Sequence, residues 1–599
     1  MPTWQQLRDL KPAEYTDAAD GWGKVSSRSN ADKDRVDNGM FAKIHDTQKG
    51  ETATEATHAV RQLSRNFQYL HTECGLIRTA LNGLASELAA PQRKLKQALE
   101  DAENLKFTVK PDGSVEYPTD SLVLAPGNNT AEHGAPVPLA PGKGEGVGSA
   151  DANKGKAEDI AQRIGDAVRE ATEIDGRYAA ALRRLKADPG LDVSDAALVD
   201  AAADTKALQQ AAGKYADDDK IPKGKSPQDN AEWWKSLTQE QRDEYATLYP
   251  ASVGALDGLP SAVRDDANRM VLAETRAQTQ LELNAIPKPP QQYLPNPSGS
   301  YPAVITNPAY REWQDKYGDR KPELERIKSG IDAVQGRFDA TGKDGLPEAY
   351  LLGFDPRTNN GDGRIILANG NPDTADHTAV YVPGTGTEIG GIGGDLERAS
   401  DLQTEASKQS PGAAVSTIMW FDYDAPRSAY PTDKGDAFPE AARNEYAEKG
   451  APTLHTFMEG TRAAHEAASG SGGHTTLIGH SYGSTLIGEA AQAGRIFDGP
   501  IADDIVVAGS PGMQANRAAD LGISGEHMWA MGAEGDNVPL GGSLVGLGED
   551  WVVPTDPEFG GNVMKTDTHG HSDYWNEGTL SLNNQAKVIV GDYEGVILE

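Results

Sequence analysis

The run Thr475-Thr476-Leu477-Ile478 gives way at once to Gly479-His480-Ser481-Tyr482-Gly483, which continues as Ser484-Thr485-Leu486-Ile487-Gly488-Glu489-Ala490-Ala491. A short apolar strand, a Gly-x-Ser-x-Gly corner and a small-residue helix in immediate succession leave little choice of local structure. The chain must leave a strand, turn sharply and enter a helix, with the Ser481 hydroxyl lifted above a sheet. Gly479 and Gly483 stand where strand and helix pass too closely for side chains. With 65 glycines in 599 residues, the pattern alone is weak, and the flanking strand and helix carry the expectation.

The surroundings agree with a layered fold. From Glu348 onward, short apolar segments at 350–354, 364–368, 378–382, 416–420, 475–478, 504–508 and 527–531 read as strands. Helical segments at 394–408, 440–448, 453–468 and 484–493 lie between the later ones. Strands alternating with helices predict an α/β domain with a mostly parallel central sheet covered on both faces. The first two strands, joined through Asn359-Asn360-Gly361-Asp362-Gly363, read as an antiparallel hairpin. That Asp/Asn/Gly-rich stretch lacks the spaced acidic ligands and closing Glu of a calcium loop.

Upstream, apolar residues recur at three- and four-residue spacing over 59–81 and 84–99, and helical periodicity returns at 157–187 and 195–215. Asp112-Gly113 between two short alternating runs predicts a hairpin, and the Gly, Pro, Ala and Asn density of 124–155 predicts a flexible linker or insertion. The expected organisation is a separate all-α bundle over 1–216 with its hairpin and insertion at about 107–155, a linker at 217–229, a helical lead-in at 230–340 and the catalytic domain at 341–599. Within the lead-in, Thr238 with Gln241 three residues on is a capping box, and 286–308 is a Pro-rich connector.

A serine hydroxyl needs a histidine to take its proton and an acid to orient the imidazole. In the topology that places a nucleophile elbow after a central strand, these follow in the order Ser, acid, His. Asp536 lies just past the strand at 527–531, with Glu534 as its substitute. His571 and His569 both follow, and His571 is preferred because Tyr574-Trp575 can anchor its loop. The developing oxyanion would be held by the Tyr482 N–H and by N–H groups at Thr385 and Gly386, in the Gly-rich turn after 378–382. Ser510 also ends a strand, but Pro511 follows it and has no N–H to offer. The loop from Phe421 to Pro439, with Asp422, Tyr423, Arg427 and Tyr430, is either the substrate mouth or an ordinary surface loop. His569-x-His571-x-Asp573 resembles the opening of a zinc-hydrolase signature, but Tyr574 stands where a further His would close it, and zinc needs three or four convergent ligands. No metal and no cofactor are expected.

Composition narrows the partners. Ninety acidic against 57 basic residues give a formal charge of -33, which repels phosphate backbones and anionic lipid heads, so nucleic acid is excluded as a partner. Cys74 is the sole cysteine, so neither an intrachain disulfide nor a Cys-rich zinc site can form. No apolar run reaches the ~18 residues of a spanning helix. Met1 to Gln6 carries neither a basic start nor an apolar stretch, so an ordinary signal peptide is not expected and the expected address is cytoplasmic.

From about Pro227 the chain resembles an actinobacterial α/β-hydrolase family long catalogued as a domain of unknown function. The resemblance rests on Trp233-Trp234-Lys235-Ser236-Leu237-Thr238, Leu256-Asp257-Gly258-Leu259-Pro260, Arg264-Asp265 with Ala267-Asn268-Arg269, Leu352-Gly353-Phe354-Asp355-Pro356, Asn371 to His377 leading into Val382-Pro383-Gly384-Thr385-Gly386, and the Gly-His-Ser-Tyr-Gly elbow. It implies an α/β-hydrolase fold with Ser481, Asp536 and His571 as the catalytic residues, and no particular substrate. The N-terminal bundle resembles helical modules related to small type VII secretion substrates. That implies a protein partner for the bundle and an alternative, exported address, although Trp22-Gly23 departs from the spacing of the Trp-x-Gly hairpin. The expected function is a serine esterase or lipase-like hydrolase of a small-molecule ester. The alternative is a secretion-associated or interaction protein, or an effector, that uses the hydrolase fold as a scaffold.

Overall fold

The computed structural model describes residues 3–47, 50–118, 121–123, 152–186, 192–298, 301–429, 439–494, 496 and 499–599. The chain divides into two compact units that interleave in sequence, one of residues 1–29, 70–191 and 201–220, the other of 30–69, 192–200 and 221–599. No helix among the described residues is long and apolar enough to cross a membrane.

The first unit is built on helices. The helix Glu51–Asn104, of which residues 70–104 belong to this unit, runs unbroken over both periodic stretches read from the sequence, 59–81 and 84–99, with Pro91 inside it. The apolar stripe Leu84, Leu88, Leu95, Ala98 is buried and runs on across residue 91, so its packing outweighs the hydrogen bond that Pro91 cannot donate. Ala152–Leu182 buries a matching stripe of Ile160, Ile164, Ala167, Ala171 and Tyr178, and Tyr178 Oη donates to Glu87 at 2.7 Å. The Asp112-Gly113 hairpin forms as expected, pairing Thr108 with Glu116 and Val109 with Val115. The flexible linker expected from 124 falls outside the described residues until the helix starts at Ala152.

The second unit holds an eight-stranded sheet: β1 (Ala349–Asp355), β2 (Arg364–Asn369), β3 (His377–Val382), β4 (Val415–Phe421), β5 (His474–His480), β6 (Asp504–Ala508), β7 (Met528–Met531) and β8 (Asn562–Val563). Their spatial order is β1-β2-β4-β3-β5-β6-β7-β8. Only the two pairings of β2 are antiparallel; the other five are parallel. Every residue of β4 and β6 is buried, as central parallel strands with both faces covered require. Among the described residues the α-helices that follow β3 are α1 (Gly393–Gln409), α2 (Glu445–Ser469), α3 (Tyr482–Gln492), α4 (Val538–Val545) and α5 (Leu580–Ile589); α1 packs on α5 and α2 on α3. The sequence predicts a break between 448 and 453, yet α2 runs through Pro452. Its buried face, Ala447, Ala451, Leu454, Met458 and Thr461, continues without interruption. At the β1–β2 turn Asn359, Asn360, Gly361 and Gly363 all take positive φ, which makes the expected hairpin.

The capping box at Thr238 is present in both directions. The Pro-rich connector contains a small hairpin of Tyr293–Pro295 and Val304–Thr306. Residues 30–69 are tied into this same unit: Lys33 Nζ lies 3.1 Å from Asp266, Asn38 donates to Glu348 at 2.7 Å, and Arg61 pairs with Asp339.

Candidate active site

Ser481 sits at the junction of β5 and α3 with φ 52° and ψ -131°. A residue with a Cβ pays of order 1–3 kcal/mol for such a backbone, and here the surroundings hold it there. Its N–H donates to the Ala508 carbonyl at 3.1 Å, while its own carbonyl accepts from Ser484 N at 3.0 Å and Ser484 Oγ at 2.6 Å. A Cβ on Gly479 would lie 2.8 Å from Ser484 Cα, and one on Gly483 only 2.3 Å from the Val382 carbonyl. Both glycines of the corner therefore occupy close approaches, as read from the sequence.

Asp536 and His571 meet across two loops. The loops are joined along their main chains by a bridge of Glu534 with His569 and by the Gly570 N–H on the Glu534 carbonyl at 2.9 Å. Two residues beyond each anchor, or nearly so, His571 Nδ1 lies 2.9 Å from Asp536 Oδ2. A carboxylate only accepts, so Nδ1 carries the proton and Nε2 is left as the base. Tyr574 Oη donates to the same carboxylate oxygen at 2.6 Å, and the Val538 N–H donates to the other at 2.9 Å. The Asp536 side chain is fully enclosed. Burial acts to raise its pKa, but the hydrogen bonds from His571, Tyr574 and Val538 together hold it below the usual carboxylate range. The substitutes Glu534 and His569 also face each other, at 3.4 Å, but their side chains are 85% and 75% exposed. They stand in solvent, and neither lines the cavity described next.

Ser481, Asp536 and His571 open on one cavity of about 710 Å³, whose wall also includes Gly384, Thr385, Gly386, His480 and Tyr482. A Cβ on Gly384 would lie 2.8 Å from Ser481 Cβ and 3.0 Å from Tyr482 N, so the turn after β3 lies directly against the elbow. Tyr482 is the first residue of α3, and helix N-termini leave their first N–H groups without an intrahelical acceptor. Gly386 is a correction to the sequence reading. Its N–H donates to the Pro426 carbonyl at 2.8 Å, so it is not available to an oxyanion, which leaves the Thr385 and Tyr482 N–H groups.

Other expectations resolve as structure. Ser510 is buried; its Oγ accepts from the Gly512 N–H at 3.2 Å and lies 2.7 Å from Ser484 Oγ, to which it donates, since the single Ser484 hydroxyl proton is on the Ser481 carbonyl. Of the loop read as a mouth, Asp422 is bonded by Asn359 at 3.1 Å, Tyr423 Oη donates to Pro383 O at 2.9 Å, and Arg427 reaches Asp362 at 2.9 Å. These three serve packing, Ala429 and Pro439 line the cavity, and Tyr430 lies outside the described residues.

Sequence reasoning overlooked His480, Gly509 and Arg398. The His480 ring packs between His571 and Trp575, with centroids at 4.7 and 4.9 Å, and its Nε2–H donates to the His571 carbonyl at 2.8 Å. Burial, then the nearby His571 and Arg398, push its pKa down to about 3, so it is a neutral donor at every working pH. The only available signal was its place directly before the nucleophile.

Comparison with known proteins follows the same lines. Residues 355–543 match the family model described as alpha/beta hydrolase. "Uncharacterized protein Rv2079" of Mycobacterium tuberculosis is 29% identical over 403 residues, covering 62% of this chain and 56% of the relative. "Uncharacterized protein Mb0988c" of Mycobacterium bovis is 30% identical over 209 residues, covering 33% of this chain and 67% of the relative. The chain thus spans little more than half the length of the first of these. Among solved structures, an esterase of Pyrobaculum calidifontis aligns at 12% identity with a TM-score of 0.27, covering 48% of this chain and 99% of its own.

Proposed function

Because the chain belongs to the alpha/beta hydrolase family, we propose that it is a serine hydrolase that cleaves an ester through an acyl-enzyme. The observation that carries this reading is the opening of Ser481, in its strained corner, and the Asp536–His571 pair on one cavity. In the reading, Ser481 Oγ attacks the acyl carbon while His571 Nε2 takes its proton, and Asp536 holds the imidazole and stabilises the imidazolium. The Tyr482 and Thr385 N–H groups receive the oxyanion. The alcohol leaves with the proton from His571, and water, activated by the same nitrogen, releases the acid. Every step uses side chains and main-chain groups already in the cavity wall.

The test is labelling of the full chain with a fluorophosphonate probe, beside Ser481→Ala and Ser510→Ala. Labelling lost in Ser481→Ala and kept in Ser510→Ala is the expected result, followed by turnover of 4-nitrophenyl esters. Asp536→Asn should lower kcat by ~10⁴, as the wrong imidazole tautomer does elsewhere. Absence of labelling and of ester turnover in the parent chain would sink the proposal.

A further inference from the structure

The cavity wall carries a charge that the chemistry at Ser481 does not use. Among its described lining residues, Arg398 is the single Lys or Arg, in a chain of formal charge -33. Arg398 lies on α1, and one edge of its guanidinium is fixed: Nη1 donates to Asp395 Oδ1 at 2.9 Å and to Tyr381 Oη at 3.2 Å. The group also lies over the Trp575 ring, 5.1 Å from its centroid. Asp395 and Tyr381 are both buried, whereas the Arg398 side chain is a quarter exposed. Asp395 also lines the cavity, but its side chain is 12% exposed against 25% for Arg398, so the pair presents mainly its positive member. Among the described residues no partner takes Nε or Nη2, and neither atom is among the enclosed, unbonded ones. These two parallel N–H groups form the edge that matches the two oxygens of a carboxylate.

The rest of the wall is not that of an acyl-chain tunnel. Among the described lining residues six are Gly384, Gly386, Gly391, Gly394, Gly541 and Gly542, the apolar Ala429, Pro439, Ala441, Ala442 and Pro511 are small, and Val538 and Leu547 are the larger aliphatic side chains. A long alkyl chain gains ~0.8 kcal/mol for each methylene it buries, and needs a continuous apolar lining to do so. Glycine main chain and a fixed cation favour a short, polar substrate instead.

We propose that the substrate is a short ester bearing a carboxylate, and that Arg398 is the residue that selects it. The inference rests on the hydrolase reading above. The carboxylate is a spectator: the ester C–O bond at the acyl carbon breaks, water supplies the hydroxyl and the alcohol's proton, and the ion pair holds the carbonyl over Ser481.

The experiment compares the mono-4-nitrophenyl esters of succinate, glutarate and adipate with their neutral methyl diesters. For a carboxylate on the alcohol side, it compares 4-acetoxybenzoate with methyl 4-acetoxybenzoate. The ratio of kcat/KM, anionic over neutral, should be about tenfold or more for the best pair. It should fall to about one in Arg398→Gln, and keep an intermediate value in Arg398→Lys, which retains the charge without the fork. Because each ratio is taken within one variant, a general loss of active protein does not move it. As a readout free of turnover, glutarate should slow fluorophosphonate labelling of the parent chain and not of Arg398→Gln. A ratio near one in the parent, or one unchanged by Arg398→Gln, overturns the inference while the hydrolase reading stands. If Ser481 is neither labelled nor active on any ester, both fall together.

Discussion

His480 Nε2 donates a 2.8 Å hydrogen bond to the main-chain oxygen of His571, so the residue directly before the candidate nucleophile holds the backbone of the candidate base. The bond ties the elbow to the loop that carries the imidazole. It acts through His571 and touches no reacting atom. His480→Phe keeps the ring's bulk and removes the donor, and should lower kcat/KM on a 4-nitrophenyl ester by about ten- to a hundredfold through misplacement of His571. His480→Gln, which can still donate, should recover part of that loss. Equal activity of the two variants would show that only packing matters at this position.

Gly509 makes a sharper claim. Its φ is +60°, and a Cβ there would lie 2.6 Å from Asp536 Oδ2 and 2.9 Å from His571 Nδ1. A methyl group would thus enter the space in which the two side chains meet. Gly509→Ala should fold, with strain of ~1–3 kcal/mol, but lose about a hundredfold or more in kcat as the pair is forced apart. The labelling rate of Ser481 should fall in parallel. A variant with wild-type labelling would mean that the Asp536–His571 contact is dispensable for activating the serine.

All seven strands expected in the catalytic region form, because strands buried on both faces carry unbroken apolar runs, as 418–421 and 505–508 do. The last strand, Asn562–Val563, has two half-buried residues and no pattern to detect. The helical reading breaks between 448 and 453, beside Pro452, because a local rule assigns a break there, while the deciding term, an apolar stripe continuing across the proline, is tertiary. The pairing of His571 with Asp536 could be anticipated from chain order and from the aromatic pair beside it. The engagement of Gly386 with Pro426 could not, since a main-chain hydrogen bond leaves no trace in side-chain identity. Gly509 and Arg398 were missed for a related reason: each acts through neighbours that only the fold brings near.

Tyr574 ties the acid to the main chain just past β7. Its hydroxyl donates to Asp536 Oδ2 at 2.6 Å and accepts the Ala533 N–H at 2.9 Å. Tyr574→Phe removes one of the donors that hold the Asp536 pKa down and orphans a buried N–H, at a cost of ~1–3 kcal/mol. A depressed carboxylate stabilises the fold above its unfolded pKa of about 3.8 and loses that contribution as pH falls through its folded value. The Tm deficit of Tyr574→Phe should therefore be larger at neutral pH than in acid, and kcat should fall about tenfold. Thermal denaturation of both proteins across pH checks the first, and steady-state rates the second.

Asp504, at the start of β6, has a fully enclosed side chain and gathers four donors. His474 Nε2 at 2.7 Å and Tyr593 Oη at 2.6 Å reach Oδ2, while His527 Nδ1 at 3.0 Å and Trp529 Nε1 at 2.9 Å reach Oδ1. His474 Nδ1 faces the Ile589 carbonyl at 3.0 Å and His377 Nδ1 at 3.3 Å, so both of its ring nitrogens have acceptors and the imidazolium is favoured. Burial alone would lower the His474 pKa, but the Asp504 hydrogen bond and the charges of Asp504 and Asp503 raise it above 6.5. Burial would raise that of Asp504, but its hydrogen bonds, that of His474 first, bring it below 3.8. The His474 contribution is complete below about pH 6.5 and is lost as pH rises through its folded value; that of Asp504 is present above about pH 3.8 and lost as pH falls through its own. The cluster should thus stabilise the sheet most between about pH 4 and 6.5. Asp504→Asn should cost ~3–5 kcal/mol, because it leaves His474 with a buried, uncompensated charge. The Tm gap between the parent and His474→Gln should narrow as pH is raised from about 6 to 9. A gap that stays constant over that range would mean that His474 is held neutral and that the cluster is an uncharged hydrogen-bond network.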